Sequence, residues 1–232
     1  MFWDALFFCF SDQSCLSLQK KLIKQAFPIA YLPPVNYVAY YMAASNPVID
    51  LYEHWPKQTY RNRADIASPQ GPYKLSVPVT KKAHHTPVCQ VGISYREDWQ
   101  QNHWRAIKSF YNSSPYFLFY EPELRPFFER QYQTIDQLDL ALLHKLFALL
   151  DISVPIQTSS KYLEREEIDY DFRDFFNQKK DNVLIPEYIQ VFEDRQPFLN
   201  NLSVIDLLFN LGPEAATYLK RLAKHISDYY SG

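Results

Sequence analysis

The sequence predicts an α/β fold: a single domain with a mixed β-sheet flanked by helices and a C-terminal helical portion. Three observations carry this expectation. In a chain of 232 residues, 47% are hydrophobic and 17% aromatic, which is material for one large core and not a disordered composition. Short apolar runs of strand length at 27–32 and 48–52 bracket a helix-forming stretch at 36–44, a βαβ-like order. A leucine stripe with helical spacing at 136–150 is followed by a β-branched run at 152–158, as expected of a sheet covered by helices.

In chain order, residues 1–24 differ from the rest. The apolar run at 5–10 is too short to span a bilayer, and Asp4 stands where a secretion signal wants positive charge. This segment reads as a peripheral extension; the alternative is an interfacial anchor using Trp3, Phe7 and Phe10, with Lys20, Lys21 and Lys24 outside. The domain proper runs over 25–232, with an α/β core at 25–162 and an irregular and helical portion at 163–232. After the first βαβ-like unit, residues 58–79 read as a β-hairpin around the turn Ser68-Pro69-Gln70-Gly71. Alternation puts Arg61 and Arg63 on one face and Tyr60, Asn62, Ala64 and Ile66 on the other. A strand is expected at 88–93. Ser94 with Glu97 makes a capping-box start for a helix to about residue 112, with Trp99, His103, Ala106, Ile107 and Phe110 on one face. A brief aromatic segment at 116–120 and a helix at 123–132 precede the leucine helix. Ser203 caps a short helix that stops at Gly212, and Pro213 opens a final one.

Composition also excludes. A net charge of −2 and a pI near 6.3 give no basic excess for nucleic acid. Only four glycines occur, so no dinucleotide-binding loop, P-loop or GxSxG nucleophile elbow can be written. Three cysteines, Cys9, Cys15 and Cys89, are too few and scattered for a disulfide framework and lack zinc spacing. A reducing, cytoplasmic location follows, and neither a cofactor nor a metal is expected.

Several side chains stand out as candidates. Arg61 and Arg63 offer planar forks for a phosphate or carboxylate, or else pair with Asp65, Glu53 or a C-terminal acid in a surface network. Asn62, facing inward, is either a backbone clamp or a ligand contact. His103 is a general-base candidate, against the alternative of a satisfied core histidine. Glu53 and His54, past a strand end, form an alternative acid/base pair. Tyr31 and Trp99 are the aromatics most suited to stack on a sugar or base. His84 and His85 read as solvated, and Cys89 as a small buried hydrophobe.

An ordered series of segments runs from about residue 27 to 219: AYLPPVNY (30–37), KQTYRNRADI (57–66), GPYKLSVPV (71–79), WQQNHWRAIKSFYNSSPYF (99–117), the leucine helix, and NLSVIDLLFNLGPEA (201–215). In this order and spacing the chain resembles the WbqC-like protein family, and looks closest to its Bacteroidetes-type branch. Many relatives carry a His-Gln-Pro lead-in where this chain has Phe27-Pro28-Ile29-Ala30, and they tend to begin near Gln25. The resemblance implies a role in surface-polysaccharide (O-antigen-like) biosynthesis, as a transferase moving an acyl or aminoacyl group onto an amino sugar or sugar nucleotide. In that reading Arg61 and Arg63 hold the anionic group, with Asn62, Tyr31 and Trp99 shaping the site. His103 or the Glu53/His54 pair handles the proton. The alternative is a non-catalytic protein that binds glycan precursors or an assembly partner.

Overall fold

The computed structural model describes residues 24–56, 59–80, 85–176 and 184–231. The expected N-terminal extension, apart from Lys24, and His84 therefore lie outside the described residues. Strand β1 (Gln25–Phe27), helix α1 (Val35–Ala43) and strand β2 (Pro47–Ile49) form a βαβ unit with β1 and β2 parallel. Strand β1 is shorter than the 27–32 expected, because Pro28 has no N–H to donate to a ladder. The chain then turns, with Leu32 at φ +43° and Pro33-Pro34 leading into α1.

The hairpin forms as expected at its turn. Strands β3 (Arg63–Ser68) and β4 (Gly71–Ser76) pair antiparallel, with Ser68 opposite Gly71. Gly71 has φ +109°, a conformation only glycine adopts readily, and Ser68 Oγ donates to its carbonyl at 2.8 Å. Ala64 and Ile66 of β3 and Leu75 of β4 are buried on the inner face.

Two expected strands are not formed. Over 88–93 the chain makes a short 3-10 turn, Val88–Gln90. Its N–H groups are used elsewhere: Val88 donates to Glu53 O at 3.0 Å and Cys89 to Leu51 O at 2.9 Å. Residues 152–158 do run beside β2, through Ile49 N–H to Gln157 O at 2.8 Å and Ser159 N–H to Ile49 O at 2.9 Å. Pro155 interrupts the donor series, so only one parallel bridge, Ile49 with Thr158, results.

Helix α2 (Trp99–Tyr111) buries Trp99, His103, Ile107 and Tyr111. It starts after Asp98, without a side-chain cap, so the expected capping box at Ser94 and Glu97 is not formed. Helix α3 (Phe117–Leu124) replaces both the aromatic segment at 116–120 and the helix at 123–132. Its buried residues Phe117, Tyr120 and Leu124 recur at helical spacing, and a 3-10 turn, Arg125–Phe128, follows where Pro126 removes a donor. Helix α4 (Ile135–Leu149) is the expected leucine helix. Strand β5 (Tyr170–Asp171) then pairs parallel with β1, giving a small sheet in the order β2-β1-β5. Parallel and antiparallel pairings are thus divided between two small sheets flanked by helices.

Helix α5 (Val204–Leu211) is capped by Ser203, and α6 (Glu214–Ser231) packs along α1. The break between them needs Gly212, at φ +55°, where a Cβ would meet the Tyr116 ring at 2.5 Å. One buried acid ties the C-terminal portion to the core. Asp206 accepts hydrogen bonds from Tyr111 Oη at 2.8 Å, Tyr188 Oη at 2.6 Å and Gln190 Nε2 at 3.2 Å. Burial still pushes its carboxyl up to about 6, against those donors. Among the described residues no helix is long and apolar enough to cross a membrane.

Candidate functional site

The two arginines do not share a face. Thr59 to Asn62 form a turn ahead of β3, closed by Asn62 N–H to Thr59 O at 3.4 Å, so strand alternation begins only at Arg63. Arg61 is 2% exposed, and its Nε donates to Glu53 Oε1 at 2.7 Å. Its Nη2 donates to both Glu53 Oε2 and the Arg173 carbonyl, at 2.5 and 3.0 Å. Burial pushes the Glu53 carboxyl up, although the Arg61 guanidinium pulls it down. Arg173 continues the network, donating to Asp50 Oδ2 at 2.7 Å and to both oxygens of Asp171. This largely buried lattice joins the end of β2 to the 159–173 segment. Arg61 Nε and Nη2 and all three Arg173 nitrogens donate within it.

Glu53 and His54 do not meet as an acid/base pair. Glu53 is buried, whereas His54 is exposed and lies 3.2 Å from His85 between Nδ1 atoms, with the Tyr162 ring stacked on it at 5.9 Å. Asn62 is a backbone clamp: its Nδ2 donates to Val77 O at 2.8 Å, and Val77 N–H returns to Asn62 O at 2.8 Å. Cys89 is only partly buried and sits in the 3-10 turn, not in a strand.

Three sequence-named residues are brought together. Tyr31 Oη is 3.0 Å from His103 Nδ1, and the Trp99 ring stands edge-on to the imidazole with centroids 5.1 Å apart. The Ser76 backbone N–H donates to His103 Nε2 at 3.1 Å. Nε2 must therefore be unprotonated, which places the single proton of the neutral ring on Nδ1. Burial lowers the imidazole to about 4, so the neutral form holds at physiological pH. Nδ1–H donates to Tyr31 Oη, and the phenolic hydrogen of Tyr31 is left uncommitted among the described residues. Burial, with a lesser contribution from the Asp139 charge, holds that phenol well above its usual pKa, so it is a donor and not a phenolate.

Buried polar atoms with no hydrogen-bond partner include Trp99 Nε1, Arg63 Nε, Thr59 Oγ1 and both carboxyl oxygens of Asp139, and also Ser114 Oγ, Thr134 Oγ1 and Asp136 Oδ1. Trp99 touches His103 and the Asp139 charge acts on Tyr31, whereas Arg63 and Thr59 are connected through the backbone only. Arg63 is in register with Ser76, which holds His103, and Thr59 precedes Tyr60, whose carbonyl accepts the Tyr31 N–H at 2.8 Å. Asp139, on α4, is 0% exposed, and burial raises its carboxyl well above the usual range. Native interiors leave few such atoms unpaired, so the unpaired Trp99 Nε1 beside His103 and the unpaired Asp139 carboxyl acting on Tyr31 single out this interior as a candidate.

Asp139 was not among the sequence candidates, yet a signal exists. It falls four residues after Ile135 and three and four before Leu142 and Leu143, on the apolar stripe. Thr59 carries no comparable signal. Among the described residues, no group of three or more histidine, cysteine or acidic side chains is arranged to hold a metal ion.

Two surface grooves lie outside this interior, and neither is lined by Tyr31, Trp99 or His103. One of about 1050 Å³, between residues 184–187 and α6, is lined by Leu184, Ile185, Leu211 and Leu222, with Arg221 and His225. The other, of about 610 Å³, follows the outer side of α2.

Comparison with known proteins places the chain. The uncharacterized protein Rv1507c of Mycobacterium tuberculosis (strain ATCC 25618 / H37Rv) is 25% identical over 201 residues, spanning 72% of this chain and 84% of that one. No solved structure matches. The WbqC-like protein family matches residues 29–173, which include Tyr31, Glu53, Arg61, Trp99, His103 and Asp139. On that match the chain belongs to the WbqC-like protein family.

Proposed function

We propose that the protein is a transferase of surface-polysaccharide biosynthesis, moving an acyl or aminoacyl group onto the nitrogen of an amino sugar or sugar nucleotide. The observation that supports this most is the uncommitted hydroxyl donor of Tyr31, fixed by His103 beside the unpaired Trp99 Nε1. In such a transfer the amine nitrogen attacks the carbonyl carbon of a thioester or ester donor. The N–C bond forms and the C–S or C–O bond breaks. The leaving atom keeps the electron pair and takes up the proton that the amine loses. Charge develops on the carbonyl oxygen, and a preorganised O–H is suited to stabilise it. Tyr31 supplies that donor. His103, with both ring nitrogens engaged, positions the phenol and does not receive the amine's proton.

The test is mass-spectrometric detection of product from amino sugar nucleotides mixed with acyl and aminoacyl thioesters. Tyr31→Phe, which keeps the ring and deletes the hydroxyl, should lower the turnover rate by roughly 10²–10³-fold, the usual value of one such donor. Wild-type turnover by the Phe variant refutes the role of Tyr31. A second reading, a non-catalytic precursor-binding protein, draws support from the sealing of Tyr31 and His103, 0% and 7% exposed. It is favoured if sugar nucleotides raise the melting temperature but no donor gives product.

A further inference from the structure

We propose that the groove on the outer side of α2 is a binding subsite for an amino sugar. The inference rests on the glycan reading above but uses none of the residues assigned to the chemistry. At about 610 Å³ the groove has the size of a small-molecule site. Tyr95 and Trp104 supply half-buried aromatic surface, and Gln101 and Gln131 supply exposed amides. Pyranose rings are recognised by that combination: an aromatic surface for the C–H side of the ring, and planar polar groups for vicinal hydroxyls.

Charge then selects the kind of sugar. Two of the three cations lining the groove are engaged, Lys108 with Glu121 at 3.1 Å and Arg125 with Glu129 at 2.6 Å. What remains uncommitted among the described residues is Arg105 against Glu97 and Asp98, both exposed just ahead of α2. A phosphate-binding groove would present a positive excess. This one presents two carboxylates to one guanidinium, which suits a protonated amine on a polyhydroxyl ring. The groove also borders the buried site. Tyr95 lines it and lies tilted against Trp99 with ring centroids 5.9 Å apart, Trp99 meets His103 at 5.1 Å, and His103 meets Tyr31 at 5.8 Å.

The experiment titrates 5-fluorotryptophan-labelled protein with methyl glucosaminide and, separately, its N-acetyl form, following the fluorine resonances by NMR. The Trp104 resonance should move with methyl glucosaminide, with binding at least tenfold weaker for the N-acetyl form. A Glu97→Gln/Asp98→Asn double variant, whose changes are confined to exposed side chains, should weaken the amine-bearing sugar at least tenfold. Tyr31→Phe should leave this binding unchanged even if it abolishes transfer, so failure of the subsite and failure of the transferase reading are separable. Equal binding of the two sugars, no shift at Trp104, or loss of binding in Tyr31→Phe but not in the double variant would each overturn the proposal.

Discussion

Removing one partner of the Arg61–Glu53 pair should be among the most damaging single changes in the chain. Both side chains are nearly sealed, 3% and 7% exposed, and Arg61 also satisfies the Arg173 carbonyl. In Glu53→Ala the guanidinium stays charged, since Arg does not deprotonate in proteins, and is left buried without its counter-ion. Breaking a buried pair this way costs about 3–5 kcal/mol. In a protein of this size that corresponds to a melting temperature lower by roughly 6–20 °C. A Glu53→Leu/Arg61→Met double variant removes both charges and should recover most of the loss, because well-packed apolar replacements of buried ion pairs are often neutral. The pair Lys74–Asp65, at 3.7 Å with its lysine exposed and its carboxylate partly so, is the internal control and should cost under about 1 kcal/mol when broken. Urea unfolding of the four proteins gives the comparison directly. A Glu53→Ala cost below about 1 kcal/mol, or a double variant no better than the single, would refute the assignment of Arg61 to the framework and reopen a ligand role for it.

Three further perturbations bear on the same account. Asp139→Asn should raise stability at pH 7, because the wild-type carboxyl is buried without a partner and held well above its unfolded value; the gain should vanish near pH 3, where both states are protonated, and urea titrations at the two pH values check both signs. If Asp139 serves the site, the same variant should lose transfer or binding while becoming more stable. Asp206, raised to about 6, contributes stability that is fully present below its unfolded pKa and lost as pH rises from about 4 to 6. That loss is about 3 kcal/mol, and it should disappear from the stability–pH slope of Asp206→Asn, which chemical unfolding across that window measures. Gly212→Ala should cost about 2–4 kcal/mol in thermal unfolding, combining a strained φ with a clash against the Tyr116 ring.

What the sequence shows and hides follows from range. The leucine helix, the hairpin turn and the buried face of α2 are local patterns, set by spacing and by the demands of Pro69 and Gly71, and they appear where spacing puts them. The runs at 88–93 and 152–158 have strand composition, but a strand exists only by its partners. Pro155 in one, and the carbonyls of Leu51 and Glu53 reaching the other, decide against a ladder. The meeting of Tyr31 with His103 spans 72 residues, so each could be named but not paired. Arg61 was misplaced because the turn at 59–62 shifts it off the strand, a single local irregularity that moves a guanidinium from an outer face to a sealed pair. Asp139 was legible in principle, as an acid on an apolar stripe, and was overshadowed by its suitability for the first turns of a helix.

The most direct test of the account is the protonation state of His103. Proton–nitrogen correlation spectra of histidine-labelled protein, assigned with His103→Gln, report which ring nitrogen carries the proton. The account predicts a neutral ring protonated at Nδ1, unchanged from pH 5 to 8, as the Ser76 and Tyr31 hydrogen bonds require. A ring protonated at Nε2, or one that takes up a proton near pH 6.5, would contradict it. Tyr31 would then cease to be the fixed donor, and His103 would return as the base.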